Sequence, residues 1–132
     1  MKKLVIASSA KFQNEIGFWK RYFEEQGYNV LNYPQKINDK DLNEYKKVHI
    51  RFFQSLIQTD ILFVLNEDKN GIEGYIGAET FAELSFAMVQ NIVNNASKKI
   101  YLLKMPSEKV ACYAEIKNFI ALGWIEIFKK GE

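Results

Sequence analysis

The sequence predicts an α/β protein: a doubly wound, all-parallel sheet of five strands in the order 2-1-3-4-5. Three observations carry this. Short apolar runs rich in β-branched residues alternate with segments of helical periodicity, giving βαβαβαβαβ. Right-handed crossovers between such strands put helices on both faces of one sheet. No repeat, linker or low-complexity stretch interrupts the pattern, and 132 residues fit one domain, 1–132.

Each element has its own justification. Leu4 to Ala7 is a short apolar run, expected as a buried parallel strand. Phe12, Ile16, Trp19, Tyr22 and Phe23 then fall on one helical face, and Gly27 stops that helix. Tyr28 to Leu31 gives a second strand, turned by Asn32-Tyr33-Pro34. Asp39 to Gln58 predicts a long helix with a charged first half. Its apolar positions are His49, Phe52, Phe53, Leu56 and Ile57. Ile61 to Leu65 is the third strand, followed by a loop from Asn66 to Gly77 with three glycines. A helix is expected from Glu79 to Asn94, a strand from Ile100 to Leu103, a helix from Glu108 to Leu122, and a last strand from Trp124 to Phe128.

Composition narrows the function. Hydrophobic residues make up 48% of the chain, enough for a packed core. Eighteen basic and sixteen acidic residues leave +2, which gives no electrostatic footprint for nucleic acid. Lys36, Lys40, Lys46 and Lys47 interleave with Asp39, Asp41 and Glu44 and read as a solvated surface. The one cysteine, Cys112, cannot form an intrachain disulfide and reads as a buried, inert thiol. The one histidine, His49, argues against a histidine-rich metal site, and no cofactor is implied. Met1-Lys2-Lys3 before Leu4 to Ala7 mimics a signal peptide, but its apolar core is below the roughly seven to fifteen residues required. No run reaches transmembrane length, so no membrane partner is expected and the cytoplasm is the default location.

In such a sheet the ligand crevice lies beyond the carboxyl ends of strands one and three, where the strand order reverses. That places Ser8 and Ser9 and the segment from Asn66 to Glu83 at the site. Hydroxyls and free amides at Ser8 and Ser9 can hold a phosphate or a sugar, or they can cap the first helix. Tyr75 can cover a base or sugar, or simply pack. Glu83 lies near a helix N-terminus, whose partial positive charge favours an ionised carboxylate, and such a group can be a nucleophile. Thr80 and Glu83 also match a capping box, in which Glu83 folds back on its own helix. Glu79 and Glu83 share a face four residues apart, so one carboxyl should be pushed up. Asp60 opens the third strand, at the edge away from the crevice, and reads as structural.

Three stretches then resemble the nucleoside 2-deoxyribosyltransferase superfamily: Lys3 to Ser9, Gln58 to Asn66, and Tyr75-Ile76-Gly77-Ala78-Glu79-Thr80-Phe81-Ala82-Glu83 running on to Ala87. Lys98 to Leu103 fits the strand that follows. The resemblance implies a flavodoxin-like fold and cleavage or transfer at the N-glycosidic bond of a nucleoside or nucleotide. It assigns the glutamate nucleophile to Glu83 and proton delivery to the leaving base to Asp60, against the structural reading above. It matches Ser8 and Ser9 to phosphate-binding serines and implies a homo-oligomer; with the crevice argument, the candidate substrate-binding residues are Ser8, Ser9, Asn66, Tyr75, Gly77, Glu79 and Thr80, with no metal. Phe86, Met88, Phe52 and Phe53 are candidates for that contact. The family's strand-one tyrosine is missing, since Val5, Ile6 and Ala7 stand there. Its sugar-binding aspartate is replaced by Gly77, with Glu73 and Glu79 as substitutes. A hydrolase or a non-catalytic nucleotide-binding module on the same fold therefore stand beside a transferase. They are separated by whether Glu83 is free or bonded back to its helix. A flavin-binding protein fits less well, because the loop after strand one lacks a dense Ser/Thr/Gly run.

Overall fold

The computed structural model describes residues 1–131. Its elements are β1 (Lys3–Ala7), α1 (Gln13–Glu25), β2 (Asn29–Asn32), α2 (Leu42–Gln58), β3 (Ile61–Val64), α3 (Ala78–Asn94), β4 (Lys99–Leu102), α4 (Tyr113–Ala121) and β5 (Glu126–Ile127). The strands form one parallel sheet in the order β2-β1-β3-β4-β5, an α/β flavodoxin-like fold.

Alternation along the strands divides the core between the two faces. Val5, Ala7, Leu62, Val64, Ile100 and Leu102 face one side, under Phe52 and Leu56 of α2, Leu84 and Met88 of α3, and Ile116 of α4. Leu4, Ile6, Ile61, Phe63 and Leu65 face the other, under Ile16, Trp19 and Phe23 of α1. One helix must cover that whole second face, and aromatic bulk makes up the width. Trp19 and Phe23 lie 5.1 and 5.0 Å from Phe63, and all three rings lie within 6 Å of Phe128. Such pairs are worth about 0.5–1.5 kcal/mol each beyond their buried area. Phe52 and Met88, candidates for contact between subunits, are buried in the first core, and Phe53 and Phe86 pack edge-to-face against it. Phe52 and Met88 are thus taken up within the chain, while Phe53 and Phe86 stay partly exposed.

Several boundaries move for local reasons. Gly27 ends α1 in the left-handed region (φ 92°), as its position after the periodic stretch implies. α2 begins at Leu42, because the Asp41 carboxylate accepts from the amides of Asn43 and Glu44 and caps it there. α4 begins at Tyr113 and not at Glu108. Ser107 takes the Lys109 amide, and two successive turns, closed by the Val110 amide on the Ser107 carbonyl and the Tyr113 amide on the Val110 carbonyl, bury Val110 and Cys112 before the helix starts. β5 shrinks to two residues, because Gly123 turns left-handed (φ 75°) and Trp124 points outward. Among the described residues no helix is long and apolar enough to cross a membrane.

Candidate active site

A cleft of about 1000 Å³ opens beyond the carboxyl ends of β1 and β3, where the strand order reverses. Its floor is the loop Ser8 to Lys11, one wall comes from α2 and the segment before it, and the other from Tyr75 to Glu83.

Glu83 is the centre of this arrangement. Its side chain lines the cleft with only 8% of the residue exposed. Among the described residues no hydrogen-bond partner reaches its carboxyl group, and no fully sealed side-chain oxygen or nitrogen lacks a partner. The carboxyl is therefore open to the cleft. Burial, and secondly the neighbouring Glu79, push it up to about 8. The helix terminus was expected to hold Glu83 ionised, and removal from water outweighs it.

The capping box does not form. α3 is capped by Gly77, whose carbonyl accepts the Phe81 amide, so Thr80 sits inside the first turn. Thr80 is buried against the cleft and, like Glu83, has no hydrogen-bond partner among the described residues. Gly77 is constrained on its outer side, because a Cβ there would come within 3.3 Å of the Tyr75 ring. That ring lines the cleft beneath the Lys69 ammonium, 4.6 Å from its centroid.

Ser8 and Ser9 line the floor but do not cap α1, whose first residue is preceded by Phe12 with no side-chain cap. The Ser8 hydroxyl donates to the Ser9 carbonyl (3.0 Å), and the Ser9 hydroxyl accepts the Lys11 amide (3.3 Å). Both shape the turn and still face the cleft.

Glu79 is exposed, and it is engaged. Its two oxygens face Tyr45 Oη at 2.9 Å and His49 Nε2 at 3.4 Å, both from α2 across the cleft. Tyr45 and His49 are one helical turn apart and stack at 3.9 Å. Neither was singled out from the sequence as a site residue. The available signal is their spacing of four on the helix leading into β3.

Two expected site residues lie elsewhere. Asp60 stands at the opposite end of the sheet, where its carboxylate accepts the Lys3 amide at 2.8 Å and its backbone ties β1 to β4. In a parallel sheet the start of a strand lies at the far end from the crevice, so within this chain Asp60 does not reach the cleft. Asn66 is buried behind the cleft and does not line it. Its amide donates to the carbonyls of Lys104 and Gly74, and its oxygen accepts the Lys104 amide. This clasp holds the glycine loop against the end of β4. Gly74 makes the close approach possible at φ 62°, since a Cβ there would stand 2.8 Å from the Pro106 Cα. Glu73 is exposed and outside the cleft, which leaves Glu79 as the acid nearest Glu83 on that wall. Cys112 is buried at the foot of α4, and burial pushes its thiol up. Among the described residues no group of three or more His, Cys, Asp or Glu could hold a metal ion.

No protein-family model matches this sequence, and no curated protein matches it at a significant level. The fold does have solved relatives. The chain is similar to a structure described as Clostridium botulinum CMP N-glycosidase, BcmB, with a TM-score of 0.62 and 15% identity over 99% of this chain and 91% of that one. At that identity the likeness shows a shared fold.

Proposed function

We propose that the protein cleaves the N-glycosidic bond of a nucleoside or nucleotide, with Glu83 as nucleophile. One observation carries this reading: Glu83 is a buried, unpartnered carboxyl facing a cleft large enough for a nucleotide. Desolvating a carboxyl without a compensating bond costs several kcal/mol, so it stands where chemistry needs it and not where stability does. The glycosidase described for the structural neighbour supports the same reaction class.

In this reading the anomeric carbon sits above Glu83. As the bond to the base breaks, that carbon becomes cationic and draws the carboxyl into its ionised form. A glycosyl ester results, and water or a second base then takes the sugar. The overall first step needs no outside proton. A neutral carboxylic acid and a nucleoside give an ester and a neutral base. Ser8, Ser9 and Lys11 offer hydroxyl, amide and ammonium contacts for a sugar or phosphate, and Tyr75 offers a face for the base. Thr80 supplies a free hydroxyl one turn before the nucleophile.

A binding module without catalysis would consume Glu83 in capping, and Glu83 is free. The test is a panel of nucleosides and 5′-monophosphates, with free base followed by chromatography. Base release by the wild type and its loss in Glu83→Gln is the expected result. Release unchanged in Glu83→Gln removes the nucleophile role and leaves the binding module.

A further inference from the structure

We propose that His49, held between Tyr45 and Glu79, is the acid that protonates the departing nucleobase, with Glu79 and Tyr45 as its positioning residues. The inference rests on the N-glycosidic reading and assigns the group which that reading lacks once Asp60 is placed at the far end of the sheet.

The geometry dictates the assignment. His49 Nδ1 lies 2.9 Å from the Tyr45 carbonyl, which can only accept, so Nδ1 carries a hydrogen. Its other nitrogen, Nε2, faces the Glu79 carboxylate at 3.4 Å. That distance is an ion-pair contact and too long for a strong hydrogen bond. Nε2 thus faces a carboxylate acceptor, beside the Tyr45 ring stacked at 3.9 Å, with no short bond to lock a hydrogen in place. The ring is half-buried and lines the same cleft as Glu83. The other members of the cluster are poorer donors. Tyr45 gives its hydrogen to Glu79 at 2.9 Å, and that bond together with the Glu79 charge pushes the hydroxyl up, away from acid behaviour. Glu79 is taken on both oxygens.

The step balances. The Nε2–H bond of His49 breaks and an N–H bond forms on the base as the C1′–N bond breaks, its electron pair staying on the base nitrogen. A Glu83 oxygen bonds to C1′. The Glu83 proton returns to the imidazole by way of Glu79, four residues away on the same helix face. Water later opens the ester and restores the Glu83 acid.

Leaving groups separate this role from a structural one. An ordinary nucleobase must gain a proton to leave well. The nicotinamide of nicotinamide mononucleotide leaves already neutral and needs none. His49→Gln is expected to slow release of an ordinary base by about 10²–10⁴-fold while changing nicotinamide release by less than about threefold. Added imidazole is expected to restore part of the ordinary-base activity in His49→Ala. Equal slowing of both substrates in His49→Gln, or no rescue of His49→Ala by imidazole, overturns the proposal and makes His49 a structural residue. A wild-type protein that releases neither base is a different result: it removes the N-glycosidic reading itself.

Discussion

The two ends of the sheet treat their carboxylates in opposite ways. At the N-terminal end Asp60 is exposed and partnered: it accepts the Lys3 amide at 2.8 Å. Around it Thr59 bonds the carbonyls of Lys3 and Ile61, and Lys98 reaches the carbonyls of Ile57 and Thr59. At the C-terminal end the Glu83 side chain is buried and has no partner among the described residues, with the Thr80 hydroxyl beside it in the same condition. A polar group that closes its hydrogen bonds inside the chain serves the fold. One left open, at the cost of desolvation, is available to a ligand.

The largest effect that tests this contrast is on catalysis. Glu83→Gln is expected to reduce base release by at least about a thousandfold, because Gln keeps the shape but cannot form the ester. Asp60→Asn is expected to leave release within about twofold, as its carboxylate lies at the wrong end of the sheet to act on the same substrate. A reversed ranking in the chromatographic assay would break the comparison.

Next in size is the pH dependence of stability. Glu83 is held near 8 in the fold and titrates near 4.5 when unfolded. Between those values the folded state binds one proton more than the unfolded state. The contribution is therefore full below about pH 4.5, falls as pH rises, and is gone above about pH 8, for a total of at most about 5 kcal/mol. Chemical denaturation from pH 4.5 to 8 measures the slope. Glu83→Gln should flatten it and unfold at higher denaturant than the wild type at pH 8.

The clasp behind the cleft comes third. Asn66→Ala strips partners from the carbonyls of Gly74 and Lys104 and leaves a void. It should lower stability by about 2–3 kcal/mol, read from the denaturation midpoint. At the other end, Asp60→Ala removes one exposed hydrogen bond and is expected to cost about 1 kcal/mol in the same measurement. A larger loss there would mean that the N-terminal end carries more than a local tie.

Most of the fold was legible because it rests on periodicity and punctuation. The strand runs, the apolar face of α1 and Gly27 each announce themselves within a few residues, and the parallel order follows from their alternation. The cleft was legible to the same extent, since Ser8, Tyr75, Thr80 and Glu83 follow the ends of strands that the topology brings together. What failed depended on contacts between distant segments. Thr80 and Glu83 spell a capping box, but the helix is capped at Gly77, so the motif lies too deep in the first turns to cap. Asn66 ends β3 as a ligand residue would, and only the approach of Lys104 turns it inward. Asp60 lies where its place at the start of a strand puts it, at the end of the sheet away from the cleft to which the resemblance assigns it. His49 and Tyr45 carry no motif. Their meaning appears only when α2 is laid beside α3 and Glu79 falls between them.

The two-residue β5 bears on how copies of this chain can meet. An open sheet invites another strand to add at its edge, and long flat edges seed such pairing. Here one edge offers only Glu126 and Ile127, and after them the Phe128 amide is already tied to the Leu102 carbonyl before Lys129 follows. A second chain approaching that side would find few backbone groups to zip onto, while the Lys130 ammonium turns back over the Trp19 and Tyr22 rings of α1. An edge this short disfavours growth into fibres by strand addition on this flank.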